Sequence, residues 1–483
     1  SDSHTTPAGI EPIAYTVAET VVYDESNPRS TDEVAATNQF DDVSAQLSAD
    51  GADDTVQMMS RADFAGTFPT APEGDDFVAS DATVEGFEAW DYDAAAEGFE
   101  GDMPTTGADT DLSLIDMRGL EKDDPAWDEL LDSLTVGDMT DVLLNGAYQT
   151  APIGSIGKPQ TLEPDGPAGF SSFINSSING VAYPSEVLIA QTWDVELGAA
   201  MGEMLGNEAL LKGINGWYAP AVNLHRSPFE GRSFEYYSED PLLSGAMATS
   251  VSNGVASKGV YVTVKHFAMN EQETNRVNNG IATFANEQAI RELYLKPFEM
   301  TVKDVSMEVT YLADDEGNTA TTTVGLGGMM SSFNRIGATW AGGSEALMTN
   351  VLRGEWGFEG FAISDFNLYP YMNPNQGISA GTDLTLTFQP SKSFGDTSSA
   401  KAVTDIREAT HNILYTVATS NAMNGLAPGA TVDYTPPTWV VIQIAASVAI
   451  GLGLAGAIAW MVVRVRRHSG KAPAAAPEAD ATA

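Results

Sequence analysis

The sequence predicts an α/β protein: a (β/α)8 barrel of the TIM type, with an acidic N-terminal linker and one C-terminal transmembrane helix. Three observations support this fold class. Short apolar runs alternate with helical stretches over roughly 300 residues, which is within the usual extent of such a barrel. The region before them is strongly acidic, and 25 consecutive residues after them carry no charge.

Composition excludes several classes of function. The chain of 483 residues holds 23 Lys plus Arg against 67 Asp plus Glu, so its formal net charge is -44. This charge repels the phosphates of nucleic acids, and we expect no nucleic acid partner. Cysteine is absent, which excludes disulfides, thiolate zinc sites and cysteine nucleophiles. The five histidines have no ligand-like spacing, so we expect no transition-metal site, while calcium bound by carboxylates stays an open alternative. We expect no cofactor.

Residues 1–110 are predicted to form an acidic, extended linker. Between Thr31 and Thr110 there are 20 Asp plus Glu residues and a single basic residue, Arg61, with many Gly, Ala and Ser among them. Such a segment buries too little apolar surface to offset the entropy lost on folding. We therefore expect a solvated connector here.

Residues 111–422 are predicted to form the barrel. Apolar residues at helical spacing begin at Trp127, and the short apolar runs at 260–267 and 360–366 indicate buried strands. The segment 307–323 contains the turn sequence DDEGN, so we expect an inserted hairpin there.

Polar residues stand at the ends of two predicted strands. Lys265 and His266 end one strand, and Asp365 ends the other. The carboxyl ends of the strands of a parallel barrel meet on one face, which is where active sites lie. A single Asp at a strand end is more often a helix cap or a turn residue, so its position alone does not identify a function.

Residues 439–463 predict a transmembrane helix, because they are uncharged and long enough to cross a bilayer core. Trp439 and Trp460 stand near the two expected membrane interfaces. A short linker, 423–438, precedes the helix, and the tail 464–483 begins with an arginine cluster. The positive-inside rule places this tail in the cytoplasm and the barrel outside the cell. We therefore expect a single-pass protein of the cell membrane whose helix has the lipid bilayer as its partner.

Five sequence blocks follow one another in the predicted barrel. They are EPDGPAGF (163–170), HRSPFEGRSFEYYSEDP (225–241), VKHFAMNEQETNR (264–276), MMSSFNRIGATWAGGS (329–344) and RGEWGFEGFAISDF (353–366). Together with GTDLTLT (381–387), they resemble glycoside hydrolase family 3, and the resemblance extends from about Trp127 to Ser420.

The resemblance implies a role for each matching residue. Asp365 would be the catalytic nucleophile, which attacks the anomeric carbon of the sugar. The other matching residues would bind sugar hydroxyls or line the pocket; they are Asp165, Arg232, Lys265, His266, Met330, Phe333 and Phe366.

Three positions depart from the family pattern. Phe333 stands where the family usually has a Tyr whose hydroxyl touches the nucleophile, and Phe366 stands where it usually has a Trp. Ser171 stands where many members have Arg. We therefore expect an altered sugar site.

Four charged residues of the matching blocks receive no catalytic role. We interpret Arg226 and Arg276 as structural residues that brace the barrel. Glu271 and Glu273 are interpreted as members of a supporting loop.

The resemblance implies retaining hydrolysis of terminal non-reducing β-D-glucosyl residues through a covalent intermediate on Asp365. In related β-glucosidases the general acid lies on a second, α/β-sandwich domain. We expect that domain outside this chain, and interpret the chain as the C-terminal part of a domain-reversed member cut before its barrel. Two alternatives stay open: a membrane-anchored sugar-binding protein that is catalytically impaired, and a plain cell-surface spacer or adhesin.

The arginine cluster generates a test of topology. Protease added to intact cells should shed a soluble fragment that contains residues 111–422, because the barrel is expected outside. Immunoblotting with an antibody against the barrel measures the release, and lysed cells serve as the control for accessibility. A barrel that is cleaved only after lysis would reverse the predicted orientation.

Overall fold

The computed structural model describes residues 16, 34–40, 81–87, 98–172, 175–227, 230–274, 276, 280–388, 392–431, 435 and 438–469. These residues belong to two compact units, Ser1–Val432 and Asp433–Ala483. Most of the predicted linker 1–110, and the tail from residue 470 onward, lie outside the described residues.

The larger unit alternates helices with short strands. Its α-helices are Asp81–Glu85 (α1), Ala126–Ser133 (α2), Val136–Leu143 (α3), Glu186–Ala190 (α4), Val195–Lys212 (α5), Pro241–Ala256 (α6), Glu287–Ala289 (α7), Lys296–Asp304 (α8), Pro374–Ala380 (α9) and Ala400–Ala418 (α10). Its strands are Gly216–Trp217 (β1), Tyr261–Phe267 (β2), Ala282–Thr283 (β3), Met307–Leu312 (β4), Thr319–Val324 (β5), Gly328–Ser331 (β6), Arg335–Ile336 (β7), Thr339–Trp340 (β8) and Phe361–Ser364 (β9).

The larger unit also contains π-helical and 3-10 helical segments. Two segments have π-type hydrogen bonding, Ile290–Tyr294 and Ala346–Glu355. The short 3-10 turns are Leu114–Met117, Gly154–Ile156, Ser176–Ile178, Ser233–Glu235, Ala341–Gly343 and Asn421–Met423.

A parallel sheet of four strands, in the order β1-β2-β6-β9, forms the centre of the larger unit. Single parallel bridges extend it at both edges, from Asp165 to Tyr218 and from Ile363 to Leu384. All residues of β2, β6 and β9 are buried, as expected for strands covered on both faces. The predicted α/β class with a parallel sheet is therefore confirmed.

Helices cover the sheet and approach one another closely. Helix α5 packs on α6, and α6 packs on α8. Glycine allows the first contact, since a Cβ added at Gly202 would lie 2.1 Å from the carbonyl oxygen of Val251. A Cβ added at Gly254 would lie 2.4 Å from the carbonyl oxygen of Ala199.

The predicted inserted hairpin is confirmed. Strands β4 and β5 pair antiparallel from Met307 opposite Val324 to Leu312 opposite Thr319. Only the base of the hairpin is buried, through Met307 and Val309, which join the core.

Part of the predicted linker packs against the rest of the larger unit. Phe40 is 3% exposed and belongs to the hydrophobic core. The backbone N–H groups of Gln39 and Phe40 donate to Glu287 Oε2 at 3.1 and 2.6 Å. Arg291 Nη2 donates to the carbonyl oxygen of Thr37 at 2.7 Å. Residues 34–40 are thus held by one apolar anchor and several backbone hydrogen bonds.

The smaller unit contains one long helix, Thr438–Ser469 (α11). The most apolar stretch of 18 residues within Thr438–Arg467 has a mean hydropathy of 2.1, and none of it is buried. The helix is therefore long and apolar enough to cross a membrane.

The contact between α5 and α6 predicts opposite outcomes for two glycines of α5. Gly202→Ala should lower the free energy of unfolding by about 1–3 kcal/mol, because the methyl group overlaps the Val251 carbonyl oxygen. Gly198→Ala is the matched control, since the nearest atom to its new Cβ is the flexible Met247 Cε at 3.4 Å. It should be neutral or stabilising by up to about 1 kcal/mol. Urea denaturation measures both, and equal effects would show that α5 and α6 are not in close contact.

Candidate active site

Asp365 lies at the carboxyl end of β9 and is 8% exposed. Its backbone N–H donates to the carbonyl oxygen of Ser331 at the end of β6, at 3.0 Å. Its Oδ1 accepts the backbone N–H of Phe366 at 2.7 Å. Its Oδ2 has no hydrogen-bond partner among the described residues. The backbone thus orients one carboxylate oxygen and leaves the other unbonded.

Lys265 and Asp165 form an ion pair beside this carboxylate. Lys265 Nζ lies 2.5 Å from Asp165 Oδ1, and their side chains are 2% and 43% exposed. Single bridges in the sheet bring the two together, since Asp165 pairs with Tyr218 and Ala221 pairs with Lys265. A buried ammonium therefore holds a carboxylate that faces solvent.

His266 joins Arg232 to Asp365. Its Nε2 lies 3.0 Å from Arg232 Nη2 and 3.7 Å from Asp365 Oδ2. Its backbone N–H donates to Asn223 Oδ1 at 2.9 Å. Burial, together with the charges of Arg232 and Lys265, lowers the pKa of His266 well below its usual range. The imidazole is therefore neutral at neutral pH.

Burial dominates the electrostatics of Asp365 and raises the pKa of its carboxyl group to about 6. The charges of Arg232, Arg276 and Lys265 and the hydrogen bond from Phe366 act in the opposite direction. Three cations therefore partly offset the free energy cost of burying this carboxylate.

The apolar residues predicted for the site lie in hydrophobic clusters. Met330 on β6 and Phe333 are each 3% exposed. The Phe333 ring packs against the Tyr369 ring with centroids 5.7 Å apart, and Phe366 packs against Phe388 at 5.8 Å. Of the predicted site residues, the structure brings Asp365, His266 and Arg232 into one cluster.

Arg276 has more contact with the site than the structural role predicted for it. Its guanidinium lies 4.2 Å from the centroid of the Phe333 ring, and its Nη1 lies 2.6 Å from Glu273 Oε2. The positive charge of Arg276 lowers the pKa of Asp365. Glu273 also lies 3.6 Å from Arg232 Nη1, so it links the two arginines. Arg276 belongs to the same sequence block as Lys265, and this is the only feature of the sequence that could have indicated its place near the site.

Tyr148 is a further residue of the site, and no sequence motif marks it. Burial and the carboxylates of Asp165 and Asp365 raise the pKa of its phenol. Its ring lies 5.8 Å from that of Tyr218, next to the sheet. It lies in the loop after α3, where no periodic pattern or known block indicates a function.

Glu271 and Arg226 contact neighbouring loop and helix residues. Glu271 accepts the backbone N–H of Leu224 at 3.3 Å, and burial raises its pKa to about 8. The Arg226 guanidinium lies 5.5 Å from the ring centroid of Tyr294 and donates to its hydroxyl. Within the described part of the chain, no group of three or more His, Asp or Glu side chains could hold a metal ion.

The comparison with protein families agrees with this geometry. Residues 143–413 match the model of the glycosyl hydrolase family 3 N-terminal domain. This match covers more than half of the chain, and the chain belongs to glycosyl hydrolase family 3.

Several curated relatives are similar over the same region. The chain is 36% identical to a β-glucosidase of Rhizobium radiobacter over 263 residues, which are 54% of this chain and 29% of the relative. It is 35% identical to β-glucosidase B of Emericella nidulans over 271 residues, which are 55% of this chain and 29% of that protein. The chain thus spans less than a third of the length of these relatives.

Solved structures show the same likeness. β-Glucosidase 3B from Thermotoga neapolitana in complex with glucose aligns with a TM-score of 0.51 and 31% identity, over 62% of this chain and 43% of that one. A family 3 β-glucosidase of Bifidobacterium adolescentis aligns with a TM-score of 0.52 and 27% identity, over 66% of this chain and 44% of that one.

The raised pKa of Asp365 predicts that replacing its carboxyl group stabilises the fold, and that the size of this effect depends on pH. Its folded pKa of about 6 lies above its ordinary value of 3.8. Its ionisation therefore destabilises the fold, with no effect below about pH 4 and the full effect once the pH exceeds about 6. Asp365→Asn should raise the free energy of unfolding by up to about 3 kcal/mol at pH 7 and by almost nothing at pH 4.

Urea denaturation in non-ionic micelles at the two pH values measures this difference. Asp123→Asn, on the exposed surface, is the matched control and should have little effect at either pH. A variant Asp365→Asn that is less stable than the wild type at pH 7 would contradict the electrostatic account.

Proposed function

We propose that this chain carries the sugar site and nucleophile of a retaining β-glucosidase, and that Asp365 forms the covalent glycosyl intermediate. The observation that carries this proposal is the buried carboxylate of Asp365, with Oδ1 fixed by the Phe366 backbone and Oδ2 unbonded. A nucleophile needs this combination of fixed orientation and a free lone pair. The names of the relatives, β-glucosidases from bacteria and fungi, support the choice of substrate.

The polar cluster suits a neutral polyol. The exposed part of Asp165 can accept hydrogen bonds from sugar hydroxyls, while Lys265 and Arg232 can donate to others. His266 is held by Asn223, which fixes the direction of its ring. These groups are ordered before substrate binds, so little entropy is lost when the sugar is positioned.

The pKa of Asp365 fits its proposed role. With a pKa of about 6, the carboxyl group is mostly ionised at pH 7 and can attack the anomeric carbon. It is also more basic than an ordinary aspartate, and basicity favours nucleophilic attack. Glycosylation should therefore become faster as the pH rises through about 6.

The general acid is proposed to come from a domain outside this chain. Three other carboxylates near Asp365 are engaged by cations: Asp165 by Lys265, Glu235 by Arg232, and Glu273 by Arg276. Glu271, whose pKa burial raises to about 8, is held by the backbone N–H of Leu224. Support also comes from the chain's short coverage of its relatives, less than a third of their length.

A sugar-binding protein with impaired catalysis is the second candidate. One observation favours it: phenylalanine at position 333 offers no hydroxyl to Asp365. The two candidates share the same sugar contacts and differ in whether Asp365 forms a bond to the sugar.

The proposal also includes a closed barrel and a membrane-spanning helix. The parallel sheet and its edge bridges at Asp165 and Leu384 are consistent with closure into a (β/α)8 barrel. Residues 439–463 are proposed to span the cell membrane, with the tail in the cytoplasm and the site outside.

Covalent labelling tests this proposal. Incubation with 2,4-dinitrophenyl 2-deoxy-2-fluoro-β-D-glucoside should label Asp365, because a good leaving group needs no general acid and the fluorine slows hydrolysis of the intermediate. Peptide mass spectrometry locates the label. Asp365→Asn should show none, whereas the surface control Asp123→Asn should be labelled like the wild type.

The rate of turnover separates the two candidates. With an activated aryl β-glucoside, azide should speed release of the intermediate, while cellobiose should be hydrolysed roughly a hundred- to ten-thousand-fold more slowly than by a complete enzyme. A label on another carboxylate would contradict the role of Asp365. Sugar binding without any label would favour the binding protein.

A further inference from the structure

A cleft with mixed aromatic and cationic walls lies next to Asp365. It has a volume of about 530 Å3 and is lined by Phe366, Asn367, Leu368, Pro370, Thr387, Phe388 and Lys392. We call it the Phe366 cleft. Its volume is that of a small-molecule site and is ample for a substituted aromatic ring.

Two of its walls are apolar side chains open to solvent. Phe388 is 43% exposed and Leu368 is 60% exposed. The rings of Phe366 and Phe388 lie 5.8 Å apart at an angle of 56°. Because the Phe366 N–H is bonded to the Asp365 carboxylate, the position of this wall is tied to the nucleophile. Exposed apolar surface at this place favours contact with a ligand.

Lys392 is the charged residue that lines the cleft. Its Nζ donates to the carbonyl oxygen of Tyr369 at 3.1 Å, and no carboxylate of the described residues pairs with it. Burial alone lowers its pKa, without a contribution from any charged neighbour. By comparison, Lys401 lies 2.8 Å from Asp405.

We propose that the Phe366 cleft binds the leaving group of the substrate, and that Lys392 selects an aromatic leaving group that carries a carboxylate. The aromatic walls accept a planar ring, and the ammonium has donors left for an anion at its edge. This inference rests on the proposed function, since it assigns a place to the group that departs when Asp365 attacks.

The chemistry of such a leaving group also suits this chain. As the bond from Asp365 to the anomeric carbon forms, the bond to the phenolic oxygen breaks and its electron pair leaves with the phenolate. Water then protonates the phenolate, and a second water molecule hydrolyses the glycosyl ester. A phenolate needs less assistance from a general acid than an alkoxide does.

Equilibrium binding tests the assignment of Lys392 without requiring turnover. Titration NMR in non-ionic micelles should show that the complete chain binds 4-hydroxybenzoate about two- to fivefold more tightly than the neutral isostere 4-hydroxybenzamide, as expected for a partly exposed ion pair. Lys392→Met should abolish this difference, and Lys392→Glu should invert it. Lys401→Met is the matched control and should retain the preference of the wild type.

Cleavage of the β-glucosides of the same two phenols separates this inference from the proposed function. The wild type should favour the carboxylated glucoside by a similar factor in kcat/KM, and Lys392→Glu should favour the amide. Equal binding of the two phenols by the wild type, or an unchanged preference in Lys392→Glu, would overturn the role of Lys392. Charge-dependent binding with no cleavage of either glucoside would overturn hydrolysis and leave the assignment of the cleft intact.

Discussion

The burial of one carboxylate among three cations is the constraint on which the site depends. Removing Asp365 from water is costly, and its raised pKa measures the part of that cost that the cations do not offset. The cations are themselves held in place by other acids, Lys265 by Asp165 and Arg232 by Glu235. Opposite charges therefore alternate through the cluster, and the loss of a cation would leave the buried carboxylate of Asp365 less compensated.

Phenylalanine at position 333 places an apolar ring in the surroundings of Arg276. The guanidinium of Arg276 lies over this ring, so a delocalised cation is in contact with this residue. A guanidinium over an aromatic face is stabilised by the ring quadrupole and keeps its charge. The site thus relies more on long-range charge and less on direct hydrogen bonds to hold Asp365 ionised.

Local signals in the sequence predicted the strands and their polar ends. The buried run before Lys265 and the apolar run before Asp365 are patterns of a few adjacent residues, and the structure has strands at both places. Tyr148, Arg276 and Lys392 could not be placed in this way, because their proximity to the site depends on how distant segments fold together. The contact of Phe40 with the core was missed for a related reason, since a composition averaged over an acidic region hides a single apolar anchor.

The same anchor has a topological consequence. Residues 34–40 are bound to the larger unit, and Gly107 and Ala108 are bound to it again through the carbonyl oxygens of Leu134 and Asp132. The intervening chain is therefore a closed loop with both ends on one body, whatever path it follows. A single cut within that loop removes the covalent link of the N-terminal piece, which is then held only by the contacts of residues 34–40. Nicked and intact molecules would copurify while those contacts persist and would separate once the anchor dissociates.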